Sequence, residues 1–195
     1  VVTPLISLMK DQVDRLRAQG IRAAAIHSGM GPEQMQHTLD NCLWGGYKFL
    51  YISPERLASA SFLAWLQEAR ISLLAVDECH CISQWGYDFR PSYLRIADIR
   101  EALPTDVPVL ALTATATPQT VDDIQEKLHF RAPNVLRKSF ARPNLTYLVR
   151  RCDDKLSQLI RILQRTRGSA VVYVRSRQRT AEIASALHAE GITAT

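Results

Sequence analysis

Leu73-Leu74-Ala75-Val76-Asp77-Glu78-Cys79-His80 is the stretch that decides the fold: four apolar residues run straight into an acidic pair. A short unbroken apolar run closed by charge reads as a strand buried on both faces that surfaces at its carboxyl end. Working outward, similar runs recur at Val1–Val2, Ala23–His27, Phe49–Ile52, Val109–Leu112, Leu145–Val149 and Ala170–Val174. Between them lie helical stripes. Leu5, Leu8, Met9, Val13 and Leu16 form one, expected to open on Thr3 as N-cap with Pro4 at the first helical position. Thr117-Pro118 repeats that entry before a helix to Leu128, and Leu156, Leu159, Ile160 and Leu163 follow Asp153 and Asp154. Ile183, Ala184 and Leu187 begin a last helix that ends at Gly191. Strand–helix alternation predicts an α/β fold with a parallel sheet, helices on both faces and ligands at the carboxyl ends of the strands.

Composition narrows the classes. With 47% hydrophobic and 22% charged residues the chain is of globular type. No apolar run approaches the roughly 20 residues that span a bilayer, so no membrane partner is expected. Val1-Val2-Thr3-Pro4 carries no basic-then-apolar leader and reads as a chain opened inside a strand, hence as part of a longer protein. The four cysteines show no C-x2-C spacing, and adjacent side chains of Cys79-His80-Cys81 diverge, which argues against a metal site there and for a reducing, intracellular setting. The net charge is +5, but it is unevenly spread. Residues 1–130 hold 15 acidic and 11 basic side chains, whereas Arg131–Arg179 holds 13 basic ones against Asp153 and Asp154. Arg outnumbers Lys 19 to 5, which favours planar, two-pronged contacts with phosphate. A polyanionic partner is the reading such a belt invites; solvated helix faces are the plain alternative.

The residues around the deciding stretch carry chemistry. An apolar strand ending in Asp77-Glu78 is the Walker B arrangement, in which the first carboxylate holds Mg2+ through water and the second orients or deprotonates the water that attacks a γ-phosphate. Just downstream, Gln84–Tyr93 interleaves Trp85, Tyr87, Phe89 and Tyr93 with Arg90. Bases stack on aromatic rings and guanidinium planes at about 1–3 kcal/mol each without reading sequence. Tyr93, and Tyr87 with it, are expected to form a small aromatic core beneath this loop.

Residues 73–93 resemble the DEAH-type motif and adjoining aromatic-rich loop of the RecQ DNA helicases, a branch of helicase superfamily 2. The likeness continues in order along the chain. Thr3–Val13 resembles motif Ia, Ser53-Pro54-Glu55-Arg56-Leu57 motif Ib, and Ala111-Leu112-Thr113-Ala114-Thr115-Ala116 motif III. Phe140-Ala141-Arg142-Pro143-Asn144 is similar to the segment joining the two lobes, and Val172-Tyr173-Val174-Arg175-Ser176-Arg177 to motif IV. The resemblance implies a RecA-like lobe of the P-loop NTPase type over 1–143, then the first part of a second RecA-like lobe over 144–195. It implies an ATP-dependent 3′–5′ DNA helicase acting in repair and recombination, with ATP and Mg2+ as cofactors. Asp77, Glu78, His80 and Gln84 would serve ATP turnover, with Mg2+ on Asp77 through water. Trp85, Phe89 and Arg90 would meet single-stranded DNA and couple it to that turnover, and Thr113 and Thr115 would couple motif III to the site or the inter-lobe cleft. Ser7, Lys10, Arg56, Arg175, Ser176 and Arg177 would take phosphates of the nucleic-acid backbone.

Single-stranded and partly duplex DNA, single-strand-binding protein and other repair proteins are the implied partners, in the cytoplasm at a bacterial nucleoid or in a nucleus. The family's zinc site would lie outside this stretch. Departures are Cys79 for the commoner Ala, Tyr87 where His is frequent, Ala141 for Asp, which puts an inter-lobe contact in doubt, and Val174-Arg175 for Cys-Asn. No Gly-x4-Gly-Lys-Ser/Thr occurs, so the chain alone is expected not to hydrolyse ATP. The rival readings are an RNA helicase of the DEAD-box or DEAH groups and a non-catalytic nucleic-acid-binding module.

Overall fold

Strands β1 (Ala23–Ile26), β2 (Phe49–Ile52), β3 (Leu74–Val76) and β4 (Val109–Ala111) run parallel in the computed structural model of the protein, which describes residues 1–85, 88–139 and 142–195. β1 pairs with β2, from Ala23 opposite Phe49 to Ile26 opposite Ile52. β3 pairs with β4, from Leu74 opposite Val109 to Val76 opposite Ala111. The segment Val1–Thr3 stitches the two pairs together: Thr3 N–H donates to Ile52 O at 3.2 Å, and Val2 N–H to Ala75 O at 2.8 Å. The order is therefore β1, β2, Val1–Thr3, β3, β4.

The period-2 pleat divides these strands between two faces. Ala23, Ala25, Phe49, Tyr51 and Val1 meet Met9, Val13 and Leu16 of helix α1 (Ile6–Ala18). On the other face Ile26, Leu50, Ile52, Val2, Leu74 and Val76 form one core with four helices. These are α2 (Pro32–Leu43), α3 (Ala60–Glu68), α4 (Leu94–Ala102) and α5 (Pro118–Lys127). Helices on both faces of a parallel sheet match the expected class. β4 is less covered, with Leu110 in it 45% exposed and Leu112 just after it 47% exposed.

By packing, the chain divides into two compact units, Val1–Leu136 and Arg137–Thr195. In the second, α6 (Lys155–Arg165) starts on Asp154, whose side chain accepts from Ser157 N–H, and α7 (Arg177–Ala189) ends before Gly191, at φ +74°. The expected strands Leu145–Val149 and Ala170–Val174 do not form: among the described residues neither has a ladder partner, and an unpaired extended segment is not a strand.

One helix start also differs from expectation. Thr117 caps α5 as foreseen, accepting from Thr120 N–H at 3.2 Å. Thr3 does not cap α1, which begins at Ile6 after Leu5 with no side-chain cap, and Pro4 lies ahead of the helix. Thr3 belongs to the sheet through its backbone, and its hydroxyl is engaged elsewhere.

Candidate active site

A parallel sheet brings all its carboxyl ends to one edge, and here that edge carries Thr3, His27, Ser53, Asp77 and Thr113. Asp77 follows β3 and is half-buried. Its Oδ2 accepts from the fully buried Thr3 hydroxyl at 3.3 Å and its Oδ1 from Glu78 N–H at 3.0 Å. A carboxylate held from both sides but still reached by solvent suits a hydrated Mg2+, which takes one or two protein carboxylates and keeps most of its water. Asp77 thus fits the ion that the sequence implied.

Glu78 adopts a left-handed backbone, φ +47° and ψ +41°, which a residue with a Cβ holds at about 1–2 kcal/mol. The peptide joining Asp77 to Glu78 is fixed at both polar ends. Its N–H is on Asp77 Oδ1, and its carbonyl accepts from the Tyr93 hydroxyl at 2.9 Å. Tyr93 is fully buried, as expected of the small core beneath the loop, and that burial raises its phenol pKa. Tyr87, the other residue expected there, lies outside the described residues, as do Gly86, Phe140 and Ala141.

A 3-10 turn, Cys79–Ile82, buries His80 behind the acidic pair. His80 Nδ1 lies 3.3 Å from Glu78 Oε2 and 2.9 Å from Thr113 Oγ1, and Thr113 Oγ1 accepts from Thr115 N–H at 3.2 Å. Glu78, His80, Thr113 and the Thr115 backbone thus form one chain of contacts from the tip of β3 to the loop after β4. Thr113 reaches the acidic pair through His80 rather than directly. Burial lifts the thiols of Cys79 to about 12 and Cys81 to about 11, leaving both inert at neutral pH.

The aromatic loop springs from this turn. Gln84 is exposed, and Trp85 is 67% exposed with its N–H on Ser83 Oγ at 3.2 Å. Phe89 is half-buried. Arg90 donates through Nε at 3.0 Å and Nη2 at 2.7 Å to Asp88 Oδ2, a hydrogen-bonded pairing that raises the Arg90 pKa further. Its N–H returns to Cys81 O at 2.9 Å, closing the loop on the turn. Lys127 of α5 clamps the turn from outside, donating to Ile82 O at 3.3 Å and pairing with Asp123 at 3.2 Å. This clamp was not foreseen from sequence.

The expected phosphate contacts scatter more widely. Ser7 and Lys10 are exposed in the first turns of α1. Arg56 is engaged inside the molecule, donating to His27 O at 3.1 Å, to Ser28 O at 2.9 Å and to Met30 O. It straps the loop after β1 to the turn after β2. His27, missed in the sequence, sits in this basic corner. Its Nδ1 accepts from Gly29 N–H at 3.2 Å, and its pKa is lowered by partial burial and then by the charges of Lys10 and Arg56. The signal was available: His27 directly follows a strand whose carboxyl end lies on the ligand edge. In the second unit Arg175 and Arg177 are exposed, while Ser176 caps α7, accepting from Arg179 N–H at 3.2 Å. No helix among the described residues is long and apolar enough to cross a membrane, and none of their His, Cys, Asp and Glu side chains gather in threes as a metal-ligand set.

Comparison with known proteins points the same way. A profile of the DEAD/DEAH box helicases matches residues 1–124. The chain is 40% identical over 195 residues to the ATP-dependent DNA helicase RecQ of Haemophilus influenzae and 44% identical over 179 residues to that of Bacillus subtilis. It is matched over 100% and 91% of its length but spans only 31% and 30% of theirs. Among solved structures, the Mycobacterium smegmatis helicase Lhr bound to ssDNA and AMP-PNP superposes with a TM-score of 0.58 at 18% identity, over 98% of this chain and 28% of that one. At that identity the likeness speaks for the fold.

Proposed function

The chain belongs to the DEAD/DEAH box helicase family, and from that premise we propose that it is the middle of a RecQ-type ATP-dependent DNA helicase of 3′–5′ polarity. Residues 1–143 are most of the first RecA-like lobe and 144–195 the beginning of the second. What carries the reading is the contact chain Glu78–His80–Thr113 at the tip of β3, with an exposed tryptophan loop rising from the same turn. Glu78 orients the water that attacks the γ-phosphorus and accepts its proton as the bond to ADP breaks. His80 holds that carboxylate, and Thr113, bonded to His80, reports its state to the loop after β4. Asp77 would hold a hydrated Mg2+, which when bound would supply charge neutralisation on the phosphates. Gln84, exposed at the start of the loop, relays the nucleotide state to it. Trp85, Phe89 and Arg90 stack on bases of single-stranded DNA, while Ser7, Lys10 and His27 meet its phosphates. Arg175 and Arg177 do the same from the second unit.

The relatives' names carry DNA rather than RNA, and the aromatic loop suits unstacked bases of a single strand. ATP, single-stranded and partly duplex DNA and proteins of repair and recombination are the proposed partners, at a nucleoid or in a nucleus. The chain has no Gly-x4-Gly-Lys-Ser/Thr, so the phosphate cradle comes from outside these 195 residues. The test is therefore ATP turnover by the protein containing the chain, with and without single-stranded DNA or RNA. DNA is expected to stimulate turnover more than RNA does. Glu78→Gln should lower kcat at least about 100-fold, in the range that general-base removal costs. Trp85→Ala should lower the DNA-stimulated rate at least about tenfold. Binding of DNA with no turnover in any form overturns the helicase reading in favour of a binding module, and preference for RNA moves it to the RNA helicases.

A further inference from the structure

Glu78 carries its carboxylate on a backbone that sits in a region a glutamate does not ordinarily choose. Its φ of +47° is the torsion about the bond from the Asp77–Glu78 peptide nitrogen to the Glu78 Cα. Whatever fixes that peptide fixes the axis about which this torsion turns, and with it the base from which the side chain leaves. Two hydrogen bonds do so: Asp77 Oδ1 takes the N–H at 3.0 Å, and the Tyr93 hydroxyl holds the C=O at 2.9 Å. The first is local to the acidic pair. The second comes from the far end of the aromatic loop.

Tyr93 lies three residues beyond Arg90 and is tied to it, donating its N–H to Arg90 O at 2.9 Å, while Arg90 N–H reaches Cys81 O at 2.9 Å. The loop end, the 3-10 turn and the acidic pair thus close into one circuit. A phenylalanine would fill the core as well, so packing does not account for the hydroxyl. A fully buried phenol has no water to fall back on, so its hydroxyl is either on Asp77 O or unsatisfied. That makes the contact a two-position element rather than a soft spring. A displacement of Arg90 would therefore reach, three residues on, the peptide from which Glu78 leaves.

We propose that Tyr93 is a positioning residue that couples the aromatic loop to ATP turnover, its hydroxyl holding or releasing the Asp77–Glu78 peptide. The proposal rests on the ATPase reading above.

The test is Tyr93→Phe in the protein that contains the chain, read as kcat with and without single-stranded DNA, KM for ATP and DNA affinity. The ratio of DNA-stimulated to DNA-free kcat should fall at least fivefold, with KM for ATP and DNA affinity within twofold of wild type. Ile96→Val thins the same fully buried core without removing a polar group and should keep the ratio. A ratio within twofold of wild type in Tyr93→Phe, or an equal loss in Ile96→Val, overturns the proposal and leaves the helicase reading standing. Wild type with no DNA stimulation overturns both. Should Tyr93→Phe fail to fold, amide hydrogen exchange of wild type decides. Oligo-dT should alter exchange at 77–81 together with 88–93, and protection of 88–93 with 77–81 unchanged overturns the coupling.

Discussion

Phe49–Ile52 and Leu145–Val149 are runs of similar length and similar apolar character, yet they end in opposite states. The first is β2, laddered to β1 on one side and to Val1–Thr3 on the other, with Ile52 3% exposed. The second has no ladder partner among the described residues, and Tyr147 and Val149 are 85% and 96% exposed. The difference teaches that an apolar run supplies the wish to be buried and its neighbours supply the place. Backbone groups in a parallel strand are satisfied only by strands contributed from elsewhere in the chain. The first unit contains enough of them to close a sheet between two helical layers. In the second, α6 has no buried residue and α7 has one, Leu187.

The widest gap expected between the two units is in amide hydrogen exchange of this chain. Amides of Leu50–Ile52 and Ala75–Asp77 should be protected at least about 1,000-fold over those of 145–149 and 170–174, since core strands open only with the whole unit and unpaired segments are open already. Comparable protection in both would break the contrast. Substitution should show the same asymmetry. Ile52→Ala removes a side chain from the sealed core and should cost about 2–5 kcal/mol, whereas Leu148→Ala at a 70% exposed position should change stability by less than about 0.5 kcal/mol. Urea unfolding followed by tryptophan fluorescence checks this cleanly, because Trp44, Trp65 and Trp85 all lie in the first unit.

Helix caps sharpen the comparison further. Thr117 and Ser176 make the same bond, each accepting at 3.2 Å from the N–H three residues on. Thr117→Ala should lower the fluorescence-detected stability by about 1 kcal/mol. Ser176→Ala should leave that transition in place and reduce only helical circular dichroism, because α7 belongs to the second unit while all three tryptophans lie in the first. Equal shifts in the fluorescence midpoint would mean that the two units unfold as one.

How much of this could be read beforehand follows the same line. Local chemistry was legible. The strand ending in Asp77-Glu78, the cap at Thr117, the stop at Gly191 and the aromatic loop are each written within a few residues. What was illegible joins positions far apart in the chain. Arg56 looked like a surface cation free for phosphate because nothing nearby shows the carbonyls of His27, Ser28 and Met30 that it binds. Thr3 followed by Pro4 has the form of a helix start, but its hydroxyl is drawn to Asp77, 74 positions on. Tyr93 was legible as core, and its bond to the Asp77 carbonyl was not. The runs in the second unit have the form of strands because a run is local and a ladder is not.

The smallest effect expected is also the one that tests the missed histidine. The folded state lowers the pKa of His27 below its ordinary 6.5, first by partial burial and then by the charges of Lys10 and Arg56. Above pH 6.5 the ring is neutral in both folded and unfolded chains, and folding is indifferent to it. As pH falls through 6.5 the unfolded chain takes up the proton first, so stability drops until the folded ring is protonated too. His27→Gln should therefore flatten a slight acid-side fall in the fluorescence midpoint between pH 7.5 and 5, leaving the midpoint at pH 7.5 unchanged. A bound phosphate reverses the sign, since an anion beside Lys10 and His27 favours the imidazolium and raises its pKa. DNA binding by the protein containing the chain should then tighten as pH falls over that range, and His27→Gln should remove that part of the dependence. If the variant tracks wild type in both experiments, His27 belongs to the strap held by Arg56 rather than to the nucleic-acid edge.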